Sequence, residues 1–361
     1  MDTRILTVVK SVLFFWIYLY GLWSISVEIL FSTLSVSAIG IAVLTLLIYF
    51  TRIPTPNAAA VDAVIGKDPA QDQDIADDGF VMRVVAHRGA GLDAPENSLV
   101  AFRLCAEKGC SGVEFDVTLT ADNVPVIFHD DTLERLTGST QQVRRMTWKS
   151  LSKMDISVKH PLKEKFENTR IAKLDDTILQ CLNNKQRMFI DIKEYDSRIV
   201  KVILDLYEKY PALESKAVCS SFYPNVIYMI RRKNPKIVCS VAWRPHYFAY
   251  QSYSGSTGVG LPRTTSWMKH YLLKMCDVLY EWLLPQLIYY MIGIPIILLH
   301  KDVINGKVVN DWRNRGVRVI AWTVNHPVEK QHCSRILKIT YMTDTLIGET
   351  SAHTNNSGTR Q

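Results

Sequence analysis

The N-terminus is almost uniformly apolar. Between Arg4 and Arg52 the only charged side chains are Lys10 and Glu28. Residues 29–50, ILFSTLSVSAIGIAVLTLLIYF, form an uninterrupted apolar run, and roughly 20 such residues span a bilayer as a helix. The run before it, SVLFFWIYLYGLWSISV, is shorter and rich in Trp and Tyr, which suit a membrane interface. No convincing A-x-A cleavage site follows it, so the pattern favours two spans forming a hairpin over a signal peptide or a single span. Arg4, Lys10 and Arg52 then put both ends on the cytosolic side, whereas one span would put everything downstream in the lumen. The expected protein is integral to the plasma membrane or endomembranes, with an anchor over residues 1–52.

Residues 53–82 hold PTPNAAA and DPAQDQDIADDG, poor in apolar side chains, and read as a linker. From residue 83 short β-branched runs alternate with helical patterns: RVVAH, GVEFDV, MFIDIK, KAVCSS, KIVCSVAW, IPIILLH, VRVIAWTVN and ITYMTD. Alternation of this kind argues for a parallel sheet, and about 250 residues for eight units is the size of a (β/α)₈ TIM barrel. PVIFHDD is a ninth run. Only ADN separates it from FDVTLT, too little for a parallel crossover, so the two form an antiparallel hairpin added to the barrel. In the short-turn register Val124 faces Thr120 and His129 falls opposite Phe115. The barrel is expected over 83–347 and a disordered tail over 348–361.

Residues 243–295 form an insertion with a strongly apolar second half, interrupted by Lys274, Asp277, Glu281, Pro285 and Pro295. A transmembrane helix here would carry the last strands across the membrane and sever the barrel. The consistent reading is one or two helices lying in one leaflet, a membrane dock; burial against the barrel's own helices is the alternative. Because the insertion follows a strand, it should emerge at the C-terminal face of the barrel, where catalytic residues gather. Leu283, Leu284, Leu287 and Ile288 are expected to touch lipid, and Arg244, Lys269 and Lys274 lipid phosphates.

Two alternating pairs carry the candidate chemistry. In VEFDV, residues two apart share a strand face, so Glu114 and Asp116 point together. Two such carboxylates repel unless a cation sits between them, and oxygen ligands suit Mg²⁺ or Ca²⁺ rather than zinc. On spacing alone a salt-bridged pair explains them equally well. FIDIK places Asp191 and Lys193 on one face; Asp191 can complete the carboxylate set and Lys193 can meet a phosphate oxygen. His87 and His129 end strands, and imidazoles beside a metal can serve as general acid and base. Arg88 can fork onto a phosphate. Glu96, Asn97, Trp322 and Asn325 complete the candidate pocket, although Asn97 is also a natural helix N-cap and Trp322 a natural core aromatic. Gly89 and Gly91 lack the third glycine of a dinucleotide fingerprint.

Charge and cysteine content narrow the partners. The net charge of +7 suits anionic membranes or phosphate-bearing substrates, but no Lys/Arg run is dense enough for nucleic acid. Arg231, Arg232 and Lys233 read as a solvated helix end. The seven cysteines form no CxxC pair, which argues against zinc and against a disulfide framework.

In order and spacing, AHRGAGLDAPENS, VEFDVTLTADNVPVIFHDDTLERLTG, IDIK, WTVN and MTD resemble the glycerophosphodiester phosphodiesterase family over about residues 83–347. The apolar N-terminus and the insertion are most similar to its membrane-bound type 1 branch in eukaryotes. The resemblance implies a TIM barrel needing one divalent cation, Mg²⁺ ahead of Ca²⁺, held by Glu114, Asp116 and Asp191. It implies His87 and His129 as the acid–base pair, with Arg88 and Lys193 on the phosphate. Asp191 departs from the Glu that many relatives carry, and PENS replaces PENT. The expected reaction is hydrolysis of a glycerophosphodiester to glycerol 3-phosphate and an alcohol. Lysophospholipase D-type cleavage to lysophosphatidic acid is expected where the substrate bears an acyl chain. The rival expectation, a catalytically idle membrane scaffold that binds a signalling partner, has no need of acid–base and metal positions.

Overall fold

The structure, a computed structural model of the full chain, describes residues 3–70 and 80–347; the expected tail at 348–361 lies outside the described residues. Two compact units divide at Arg52 and Ile53.

The first unit is one helix, α1 (Thr3–Thr51), not the expected hairpin. Glu28 is a lone charge with no Pro, Asn or Asp near it to start a turn. The nearby hydroxyls do not break the helix either. Ser26 Oγ donates to Leu22 O and Thr33 Oγ1 to Ile29 O, each bonding back within the helix. At 49 residues α1 is ~74 Å long, well beyond the ~30 Å bilayer core.

The second unit contains a closed barrel. Eight parallel strands run β1 (Val84–Ala86), β2 (Gly112–Leu119), β4 (Arg187–Ile192), β5 (Ala217–Ser221), β6 (Cys239–Trp243), β9 (Ile296–His300), β10 (Arg318–Trp322) and β11 (Thr340–Thr343), and pairing of β1 with both β2 and β11 closes the ring. These are the eight runs read from the sequence. β3 (Pro125–Ile127) pairs antiparallel with β2 in the expected register, Val117 opposite Ile127. β7 (Tyr253–Ser254) and β8 (Gly258–Val259) form a small hairpin inside the insertion.

Helices α3 (Leu99–Glu107), α4 (Leu174–Asn183), α5 (Ser197–Lys209), α6 (Pro224–Lys233), α7 (Trp267–Leu283), α8 (Gly306–Arg313) and α9 (Pro327–Gln331) follow the strands. α5 shows why such helices pack: Ile199, Val200, Ile203 and Leu206 are buried on one stripe, while Lys201, Asp205 and Glu208 face solvent. Inside the barrel, Val85, Phe189, Val218, Ile296, Leu298, Ile320 and Met342 make a separate core.

The segment read as a linker holds α2 (Ala58–Ile65), whose Val61, Val64 and Ile65 join that inner core beside Met82 and Val238. It plugs the N-terminal mouth of the barrel, tied by Arg318 to Asp62 and to Gly66 O. Arg231 is not at a solvated helix end. It is fully buried and donates to the carbonyls of Ile292, Ile237 and Pro54. Cys219 and Cys239 are free and buried in the barrel wall.

Candidate active site

Strand register brings the carboxylates together. β2 and β4 are parallel neighbours with Asp116 opposite Asp191, and Glu114 lies two residues before Asp116 on the same face. One oxygen from each of Glu114, Asp116 and Asp191 lies within 4.8 Å of the others, and all three residues are buried.

Lys193 sits among them, its Nζ 2.6 Å from Asp191 Oδ2 and 2.9 Å from Asp116 Oδ1. Asp191 Oδ1 is buried and accepts no hydrogen bond. Burial and the neighbouring Asp116 charge push the Glu114 carboxyl up to about 8. Asp116 is held well below the carboxylate range despite burial, chiefly by Lys193, then His129 and Arg88. A crowd of carboxylates with one proton-hungry member and one orphaned oxygen fits a cation among its oxygens. Three carboxylates against Arg88 and Lys193 leave one negative charge, which a divalent cation reverses, matching a phosphodiester monoanion.

The turn after β1 sets His87 and Arg88. Arg88 is left-handed at φ 52°, a strained backbone for any residue with a Cβ, and its backbone N–H donates to Glu114 Oε2 at 2.8 Å. Gly89 follows at φ 77°, where a Cβ would stand 2.8 Å from Ala101 Cβ. This tight turn aims His87 at the carboxylates, its Nε2 3.9 Å from Glu114 Oε2.

Each histidine has its own carboxylate. His87 Nδ1 lies 2.6 Å from Asp344 Oδ1, and Asp344 is held by Asn325, whose Nδ2 donates to Oδ2 and whose Oδ1 accepts the Asp344 N–H. His129 Nδ1 lies 2.5 Å from Asp130 Oδ1, and Asp130 Oδ2 accepts from Arg135 Nε. Burial disfavours charge on His87, but Glu114 and the Asp344 hydrogen bond outweigh it and raise its pKa. Burial, then Arg88 and Lys193, lower that of His129. Neither Asp130 nor Asp344 was singled out in the sequence; their positions in HDD and MTD, directly after histidine or at the last strand's end, were the available signal.

Asn97 is not the N-cap. Ser98 caps α3, accepting from Ala101 N, while buried Asn97 donates Nδ2 to Asp116 Oδ2 and accepts the Asp116 N–H. It clamps a carboxylate rather than lining the pocket. Glu96 bridges Arg88 and Arg135, and Asn325 acts through Asp344. Of the four pocket candidates, Trp322 alone lines the cavity, with a buried Nε1 that has no hydrogen-bond partner.

That cavity, about 440 Å³, opens at the C-terminal end of the barrel over His87, Arg88, Glu114, His129, Asp191 and Lys193. Its opposite wall is aromatic. Phe222 stacks on Tyr247 at 4.4 Å and meets Trp322 edge-on, and His300 packs 4.5 Å from Trp322. Arg244, Tyr247, Gln251, Ser252, Tyr253 and Arg263 complete the rim from the insertion. Arg244 does not reach lipid phosphates as expected. It is buried, and its guanidinium donates to the carbonyls of Pro245, His246, Tyr250 and Gln251.

A family model described as the glycerophosphoryl diester phosphodiesterase family matches residues 87–346. The chain belongs to that family. It is thereby a phosphoric diester hydrolase, and every residue of the site described above falls within the matched span. The chain is 30% identical over 308 residues to glycerophosphodiester phosphodiesterase 1 of Homo sapiens, covering 85% of this chain and 88% of that relative. The Bos taurus protein of the same name is 31% identical over 302 residues, covering 84% and 86%. An Oleispira antarctica phosphodiesterase solved with sn-glycerol-3-phosphate superposes with a TM-score of 0.56 at 19% identity, over 72% of this chain and 92% of that one. A Galdieria sulphuraria relative gives 0.56 at 16%, over 76% and 99%. At these identities the solved structures speak for the barrel fold.

Proposed function

We propose that this family member is anchored in a membrane by α1 and hydrolyses glycerophosphodiesters to glycerol 3-phosphate and an alcohol. The observation that carries the reading is one cavity end holding three convergent carboxylates, two cations and two histidines, each histidine fixed by its own aspartate. A divalent cation held by Glu114, Asp116 and Asp191, Mg²⁺ ahead of Ca²⁺, would offset charge developing on the phosphate oxygens.

The chain's own residues do the rest. Arg88 and Lys193 grip the non-bridging oxygens; the Lys193 ammonium spends two of its three protons on Asp191 and Asp116, leaving one. Asp344 and Asp130 hold the Nδ1 atoms of His87 and His129, so Nε2 of each ring exchanges protons with the substrate. One imidazole takes the proton of the attacking hydroxyl and the other protonates the departing alkoxide; attack by water gives glycerol 3-phosphate directly, whereas attack by the glycerol 2-hydroxyl gives a cyclic phosphate that a water then opens with the two imidazoles in exchanged roles. The aromatic wall of Phe222, Tyr247 and Trp322 accommodates an acyl chain carried on the glycerol, which gives the lysophospholipase D-type reaction as the second substrate class. An idle scaffold would have no use for a histidine–aspartate pair at each side of a carboxylate cluster.

The test is a panel of glycerophosphodiesters and lysophospholipids incubated with purified full-length protein and Mg²⁺ or Ca²⁺. Release of glycerol 3-phosphate or lysophosphatidic acid is expected. Failure to turn over any member with either ion would sink the reading.

A further inference from the structure

α7 is apolar on two faces. Its inner face is accounted for: Asp277 and Tyr280 are buried, and Asp277 accepts the N–H groups of Phe248 and Ala249 at 2.8 and 3.0 Å. Among the described residues, nothing covers its outer face. Met268, Tyr271, Leu272, Met275, Val278 and Leu279 follow helical spacing on the side opposite Asp277 and are 55–68% exposed. Trp267 and Trp282 extend the stripe at its two ends. No charge interrupts it; Lys269, Lys274 and Glu281 stand along its flanks. The contrast is α5, whose outer face carries Lys201, Asp205 and Glu208. Proteins that stay in water rarely expose an apolar patch of this extent. Of the four residues expected from sequence to touch lipid, Leu284 is 2% exposed and Ile288 packs on the core, while Leu283 and Leu287 are half-buried.

We infer that the outer face of α7 lies flat in the interface of the same bilayer that α1 enters, an inference that rests on α1 being the anchor. Chain connectivity names this occupant. The apolar helix ends at Thr51, and Ile53 N donates to Met291 O at 2.9 Å, eight residues after α7 ends, in the helical turns that continue it. Buried Arg231 holds Pro54 O and Ile292 O together, and a Cβ on Gly293 would stand 2.2 Å from Ile53 O. The first two residues of the second unit, Ile53 and Pro54, are therefore pinned on the helical turns that follow α7, two residues along the chain from the end of the apolar helix. Tryptophans at both ends and flanking lysines suit the headgroup level and anionic lipid.

The seating also orders the active site. α7 is ~25 Å long. Its C-terminal end leads through residues 284–290 to the Ile53–Met291 contact, and its N-terminal end follows Tyr253 and Arg263 on the cavity rim. A membrane-resident amphiphile then meets the cavity from the interface with its acyl chain still in the leaflet. The aspartate that holds the turn bearing Tyr247 sits on the helix that touches lipid.

The test uses full-length protein in phosphatidylcholine–phosphatidylserine nanodiscs. In a Cys276→Ser background, which removes the exposed thiol of α7, an environment-sensitive fluorophore is placed at Met275→Cys and, as control, at Lys201→Cys. Quenching by acyl-chain doxyl lipid at position 275 and none at 201 is expected. Adding Leu272→Glu and Leu279→Glu should expel the label and lower lysophospholipid turnover roughly tenfold or more, with water-soluble glycerophosphodiester turnover unchanged. That last rate reports the phosphodiesterase reading separately, and co-elution with nanodiscs reports the anchor. A label at 275 quenched only by aqueous iodide overturns the inference. So does one shielded from both quenchers, which would place a protein on the face, or a protein that does not enter nanodiscs.

Discussion

Replacing Asp344 with alanine removes the acceptor of His87 Nδ1 at 2.6 Å and leaves Asn325 Nδ2, 2.7 Å from the other carboxylate oxygen, without a partner. Asp344 touches none of the three metal-candidate carboxylates, so the damage should fall on the imidazole alone. A hydrogen bond to a charged group contributes ~1.5–3 kcal/mol. If His87 moves a proton in the transition state, that loss lowers kcat roughly 10–100-fold at about 1.4 kcal/mol per decade. Asp344→Asn sharpens the test. Both His87 Nδ1 and Asn325 Nδ2 donate to this side chain, and an amide offers an acceptor to one of them only. The asparagine variant should therefore lose most of what alanine loses, while an acid-only bulk effect would leave it near wild type. The assay is steady-state turnover of a glycerophosphodiester with saturating Mg²⁺, alongside calorimetric Mg²⁺ affinity. A fall in kcat with KM and Mg²⁺ affinity held within a few-fold is expected. A folded Asp344→Ala variant with wild-type kcat would refute the dyad, and loss of Mg²⁺ binding instead would show that Asp344 belongs to the ion's site.

His87→Ala and His129→Ala should each lower kcat by about 10²–10⁴ in folded protein; a substrate with a very good leaving group should rescue one of the two selectively, and equal defects on all leaving groups would contradict separate acid and base roles. Asp191→Glu should keep cation binding while shifting the preference between Mg²⁺ and Ca²⁺, because the longer ligand changes the cavity; an unchanged preference in a metal titration would remove Asp191 from the set. Buried Asp93 tells by pH: burial raises its carboxyl, but Lys108, Thr345 and the Leu346 N–H outweigh it and hold it below its ordinary value. Its stabilisation is present above the unfolded pKa of about 3.9 and lost as pH falls through the lower folded value. The Tm gap between wild type and Asp93→Asn should therefore be full near neutrality and shrink in acid, and a constant gap would be contrary.

The barrel strands were legible because each is a short β-branched run bounded by turn chemistry, and the β2–β3 register followed from three intervening residues. The carboxylate set was legible through strand period two plus the β2–β4 alignment of Asp116 with Asp191. What stayed hidden depends on long-range contact. Asp344 meets His87 only when the last strand closes on the first, and Asn97 clamps Asp116 only because its backbone turns left-handed at φ 54°. Arg231 looked like a solvated cation because nothing local announces three carbonyls from distant segments. α7 misled for a different reason. Residues 284–292, which continue past its end, carry no charge to say which side is inside, so Leu284 and Ile288 passed for lipid contacts while Met275 and Leu279 went unremarked. Over α1, a single Glu28 in apolar sequence was weaker as a turn than helix continuity.

The most direct test of the account follows the phosphorus atom. Phosphorus NMR of a glycerophosphodiester incubated with full-length protein should show the diester resonance replaced by glycerol 3-phosphate in the presence of Mg²⁺. The account predicts that chelator, or Glu114→Gln in protein that remains folded, halts that conversion. Undiminished conversion in chelator, or phosphate appearing on the released alcohol instead of on glycerol, would contradict it.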